Sequence, residues 1–113
     1  MTKCAVVRVY DVLSQNELVH TAEDFGVNWC GKCKSWYAER KHARRDFGVA
    51  AATACYRAIH HKLEQVRKSR LRIGAVLDDE VEALEAARDL VQRYLLEHHS
   101  ISAVLVDEKH ELV

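Results

Sequence analysis

The chain contains no proline and only four glycines. Both shortages count against a sandwich of short strands, which needs a turn residue every few positions, and favour long regular elements. No stretch approaches the roughly 18 apolar residues of a membrane span. Near the N-terminus, "MTKCAVVRVYDVL" carries Lys3, Arg8 and Asp11, which interrupt the apolar run that a secretory signal requires. No membrane association and a cytoplasmic location are therefore expected. Also absent are a glycine-rich phosphate loop, a Gly-x-Ser-x-Gly elbow and a His-Glu-x-x-His helix, so no motif supports hydrolytic catalysis.

What is present is a charge partition. The net charge is zero, yet twelve Lys/Arg against three acids fall between Lys32 and Arg72, giving that window +9. The other 72 residues hold five bases and fourteen acids, or −9. Such asymmetry along one chain points to a polyanionic partner. The 113 residues, 49% hydrophobic, suit a single domain with one core, 1–113.

The pattern suggests an α+β fold. Valine-rich "CAVVRVYDVL", a turn at "SQNE" and "LVHTA" read as a β-hairpin within residues 1–22, with Ala5, Val7, Val9 and Leu13 on one face. Thr21 followed by Asp24 marks a helix start. Residues 23–48 then form a cysteine-containing basic helical segment, broken near Gly26 and Gly31. Val49, Ala52, Tyr56, Ile59, Leu63 and Val66 keep a heptad rhythm, and Val81, Leu84, Ala87, Val91, Tyr94 and Leu95 form a second apolar stripe. An antiparallel helical hairpin over 49–98 follows. A C-terminal strand or hairpin, 101–113, is expected to join the N-terminal hairpin in one antiparallel sheet packed on the helices. "DFGV" occurs at 24–27 and at 46–49, and both copies read as helix-boundary punctuation.

The cysteines admit three readings. With an expected reducing compartment they are free thiols, metal ligands or redox groups before they are disulfides. Cys30 and Cys33, completed by Cys55 and His60, form a mixed thiolate–imidazole set of the kind zinc takes. Alternatively, Trp29-Cys30-Gly31-Lys32-Cys33-Lys34 resembles the thioredoxin active-site motif, with Lys32 where that family has proline. That resemblance implies a thiol-disulfide oxidoreductase in which Cys30 attacks and Cys33 resolves. The third reading makes all four, Cys4 and Cys55 especially, small buried hydrophobes.

The basic segment has two readings as well. Lys62, Arg67 and Lys68 have Glu82, Glu85 and Asp89 to pair with across the helical hairpin. Arg40, Lys41, Arg44 and Arg45 have no acidic run beside them, and Trp36 and Tyr37 lie one turn upstream, an aromatic–cationic mixture suited to stacking on bases and contacting phosphates. "ARRDFGVAAATACYRAI", 43–59, resembles a helix-turn-helix of DNA-binding regulators at Phe47, Gly48, Val49 and Thr53. By that resemblance Ala51, Ala52, Thr53 and Arg57 approach the major groove, and Arg44 and Arg45 the phosphates.

The sequence thus leads to a small regulatory or accessory protein that binds nucleic acid through residues 32–72, with a zinc staple at Cys30 and Cys33. A thioredoxin-like oxidoreductase is the enzymatic alternative. A bipolar module that docks an acidic protein surface, or a homodimer along the 49–73 seam, is the third.

Overall fold

A computed structural model describes the backbone of residues 3–73 and 78–99. The described residues are predominantly helical and contain no strand, so the α+β expectation is corrected to an all-α fold. The chain runs through α1 (Ala5–Gln15), α2 (Ala22–Asp24, continued as a π-helical turn Phe25–Trp29), α3 (Trp36–Ala43), α4 (Val49–Ile73) and α5 (Asp78–His99). The strand expected over 101–113 lies outside the described residues.

The expected N-terminal hairpin is instead helix α1, and two features explain the change. Val6, Val9 and Leu13 stand three and four residues apart and are completely buried, so the same valines that suit a strand also make a helical stripe. The second feature is remote. Asp46, forty residues on, accepts the Ala5 N–H and the Val6 N–H with its two carboxylate oxygens, each at 2.9 Å. A charged acceptor for otherwise orphaned first-turn amides outweighs the weak preference of valine for strands. At its other end α1 closes with paired bonds, Leu18 N–H to Leu13 carbonyl and Glu17 N–H to Ser14 carbonyl. This Schellman geometry places Glu17 at φ 61°.

Helices α4 and α5 pack antiparallel: Arg67 meets Glu85 (3.4 Å) at one end, and Phe47 and Tyr94 rings lie 5.5 Å apart at the other. Their facing stripes, Ala52, Ile59 and Leu63 against Leu84, Ala87, Val91 and Leu95, are fully excluded from water. α1 packs on α5, and the π turn packs on α4, so one core gathers residues from every element. Among the described residues no helix is long and apolar enough to cross a membrane.

The junction 44–48 ties these elements together. Asp46 caps α1 and also accepts the Phe47 N–H (2.9 Å), Phe47 is buried, and the Gly48 N–H donates to the Tyr94 hydroxyl at 2.9 Å. Gly48 adopts φ +75°, which glycine meets without strain. Asp46→Ala leaves three part-buried amides without their acceptor, and we expect a loss of about 2 kcal/mol, or roughly 10 °C in Tm. Chemical and thermal unfolding check this; a variant within about 0.5 kcal/mol of the native chain contradicts the assigned role.

Candidate nucleic-acid interface

Local sequence explains how α2 and α3 come to lie against each other. Thr21 accepts the Asp24 N–H (3.0 Å), and the Asp24 carboxylate reaches back to the His20 N–H (3.3 Å), a capping arrangement that starts α2. The helix then widens: Cys30 N–H bonds to the Phe25 carbonyl and Lys32 N–H to the Gly26 carbonyl, at 3.1 and 2.8 Å. Gly31, at φ +66°, turns the chain. Gly26 permits the close return, because a β-carbon there would stand 2.9 Å from the Cys33 carbonyl oxygen. Trp36 N–H donates to that same carbonyl and opens α3. The result is a helix, a turn over 30–35 and a second short helix.

α3 presents two unlike faces. Trp36 and Tyr37, expected to stack on bases, are 7% and 3% exposed and belong to the core. The Tyr37 ring stacks on Tyr10 with centroids 4.5 Å apart and meets the edge of Phe25 at 5.2 Å. Burial pushes its phenol well above the ordinary range, so it stays neutral. The opposite face shows Ala38, Glu39, Lys41 and His42 to solvent, and Lys32 and Lys34 stand exposed on the preceding turn. The Arg40 guanidinium lies 5.8 Å over the Trp36 ring, which steadies a half-buried cation.

The exit from α3 repeats the Schellman geometry, with Arg45 N–H on the Arg40 carbonyl (2.9 Å) and Arg44 N–H on the Lys41 carbonyl (3.2 Å). Arg44 occupies the left-handed position, φ 56°, where glycine is favoured. Arg44 and Arg45 are both exposed. Among the described residues no carboxylate pairs with Lys41, Arg44 or Arg45.

Over 43–59 the structure does join the end of α3 to the start of α4 through a turn at 44–48, but the groove-facing residues expected there are not all on the surface. At the start of α4, Ala51 and Ala52 are 1% and 0% exposed and face the core, so they cannot enter a groove. Thr53 is half-buried, and Arg57 is exposed on the flank of α4. The break near Gly26 and Gly31 expected within 23–48 is present as the turn between α2 and α3, whereas the placement of Trp36 and Tyr37 at the surface is corrected. The close packing signalled by Gly26 was the available clue.

The cysteines separate into two environments. Cys30 and Cys55 are buried neighbours, bringing the end of the π turn against α4. Burial, reinforced by that neighbour, holds the Cys55 thiol well above its ordinary pKa. Cys33 is exposed, 3.6 Å from the Ser35 hydroxyl, and this hydrogen bond lowers its pKa. His60 pairs with Glu64 (3.2 Å) and stacks on Tyr56. The zinc set Cys30, Cys33, Cys55 and His60 is not assembled, and among the described residues no group of three His, Cys, Asp or Glu is placed to hold a metal. Nor does Cys30 occupy the helix N-terminus that would favour its thiolate: it caps the C-terminal end of the π turn.

The chain belongs to a family of unknown function, DUF6626, whose model matches residues 6–104. The match therefore spans α1 through α5, including the turn and the basic junction. Neither a curated protein nor a solved structure matches it.

The contrast between thiols is measurable. Iodoacetamide applied to the folded protein should label Cys33 first and leave Cys30 and Cys55 protected, as read by mass spectrometry. Because the Ser35 hydrogen bond depresses the Cys33 pKa, its alkylation should rise at lower pH than for an ordinary thiol, and Ser35→Ala should move that rise upward. Labelling of Cys30 as fast as Cys33 would contradict the assignment.

Proposed function

We propose that the protein binds nucleic acid, with the exposed face of α3 and its exit loop as the contact surface. The observation that carries this reading is the set Lys41, Arg44 and Arg45. These cations are exposed, lack carboxylate partners among the described residues, and close the second helix of a helix-turn-helix. Bulk charge cannot account for it, since the chain is neutral overall; the placement does. Lys32 and Lys34 extend the positive surface on the turn, and Arg57 adds to it from α4. Glu39 shares the exposed face of α3, while Asp78, Asp79 and Glu80 lie apart, in the first turn of α5.

Within this surface the residues divide the work. Trp36 and Tyr37 anchor α3 in the core, so the helix approaches a partner as a fixed body rather than by side-chain stacking. Arg44 and Arg45 suit phosphate contacts, which supply affinity without reading sequence. Lys41 and His42, with Ala38, occupy the outward face that a second helix of this kind turns to base edges. Arg40, held over Trp36, supports the field of the cluster from a half-buried position.

Fluorescence anisotropy with labelled duplex and single-stranded oligonucleotides tests the proposal. Binding should be strong at about 50 mM salt and fall about 100-fold by 200 mM, the dependence expected for roughly four phosphate contacts. Arg45→Ala should weaken affinity about equally across sequences and reduce the salt slope by about one. The same probes decide between duplex and single strand. No binding to either at about 50 mM salt overturns the proposal, and an acidic protein surface becomes the partner to test.

A further inference from the structure

Where the start of α1 meets the end of α3, the structure holds a cavity of about 400 Å³. It is lined by five cations, Lys3, Arg40, Lys41, Arg44 and Arg45, and by the half-buried, less polar Cys4 and Val7. Among the described residues no carboxylate lines it. Two acids close to it in sequence are already engaged: Asp46 by the amides of α1, and Asp11 by the Lys3 ammonium at 3.1 Å. The Cys4 thiol leans on the Arg44 carbonyl at 3.7 Å and so fixes one wall relative to the strained residue of the lining.

From this we infer a binding site for a small amphipathic anion: one carboxylate, sulfonate or phosphate head held by the cations, and an apolar body seated on Val7 and Cys4. The volume falls within the roughly 300–1,000 Å³ of small-molecule pockets, which combine apolar walls with a few orienting polar groups. The phosphates of a duplex need exposed cations but no apolar lining. The apolar part of the lining, Val7 with Cys4, is therefore the feature that points to a small ligand. Guanidinium groups provide paired donors that match the planar or tetrahedral oxygens of such heads. The inference stands independently of nucleic-acid binding. It adds a consequence, because Lys41, Arg44 and Arg45 belong to both surfaces and one occupant excludes the other.

The probe is 8-anilinonaphthalene-1-sulfonate, titrated by fluorescence into the full chain without nucleic acid, beside its neutral analogue N-phenyl-1-naphthylamine. The expected result is saturable binding of one sulfonate per chain, with the neutral dye at least about tenfold weaker because it lacks the charged head. Val7→Trp should fill the cavity beside the apolar lining and abolish binding while far-UV circular dichroism and Tm stay native. Lys41→Gln, a surface change safe for folding, should weaken the sulfonate about tenfold and leave the neutral dye unchanged. Equal affinity for the two dyes, no saturable binding, or full binding by a folded Val7→Trp together with Lys41→Gln overturns the inference. Oligonucleotide binding plays no part in these measurements, so either proposal can fail alone. Where both hold, the sulfonate displaces labelled duplex in proportion to its occupancy.

Discussion

The carboxylate of Asp46 is the fastening on which the arrangement depends. It satisfies two first-turn amides of α1 and its neighbour Phe47, all at 2.9 Å, across forty residues of sequence. Remove it and α1 has no N-terminal acceptor, for Cys4 at the cap position supplies no side-chain bond. The rest of the junction follows. Phe47 enters the core, and Gly48 reaches the Tyr94 hydroxyl on α5. Desolvation is the main influence on the Tyr94 hydroxyl and raises its pKa, so it remains a neutral acceptor through the physiological range. Five consecutive residues thereby set the relative positions of α1, α3, α4 and α5.

The same five residues begin with Arg44, and under the nucleic-acid proposal stability and recognition pull in different directions here. A left-handed arginine is costlier than a glycine by about 1 kcal/mol. Arg44 is nevertheless held there by the two bonds that end α3, with Arg45 beside it and Lys41 one turn back. Strain tolerated at an exposed cation is the pattern expected where a side chain serves binding rather than folding. Because Asp46 and Phe47 follow immediately, the cations sit on a loop fastened to α1 and the core. A display fastened in this way loses little entropy when a partner is bound.

How much of this could be read from the chain depended on the range of each interaction. The stripes of α4 and α5 are local in sequence, and Ile59, Leu63, Leu84 and Val91 lie where their period puts them. α1 was ambiguous, since its valines fit either a strand or a helix and the deciding acceptor sits on the far side of α3. The conspicuous Cys30–Cys33 spacing misdirected: the buried neighbour of Cys30 is Cys55, twenty-five residues away, brought there when the π turn packs on α4. Trp36 and Tyr37 looked like a stacking platform because cations flank them. Only the packing of Tyr10 and Phe25 reveals them as core. The cluster Arg40, Lys41, Arg44 and Arg45 was plain as a run of charge, whereas the cavity it lines needed Lys3, Cys4 and Val7 from the other end of the chain.

The most direct test replaces each left-handed non-glycine in turn. Glu17 and Arg44 occupy equivalent positions at the ends of α1 and α3, at φ 61° and 56°. Measured by denaturant unfolding and oligonucleotide affinity together, Glu17→Gly and Arg44→Gly should each stabilise the fold by about 1 kcal/mol. Only Arg44→Gly should also weaken binding, by about tenfold. A more stable chain that binds less well is the outcome this account requires of Arg44→Gly. Unchanged affinity in that variant would show that the junction serves the fold alone.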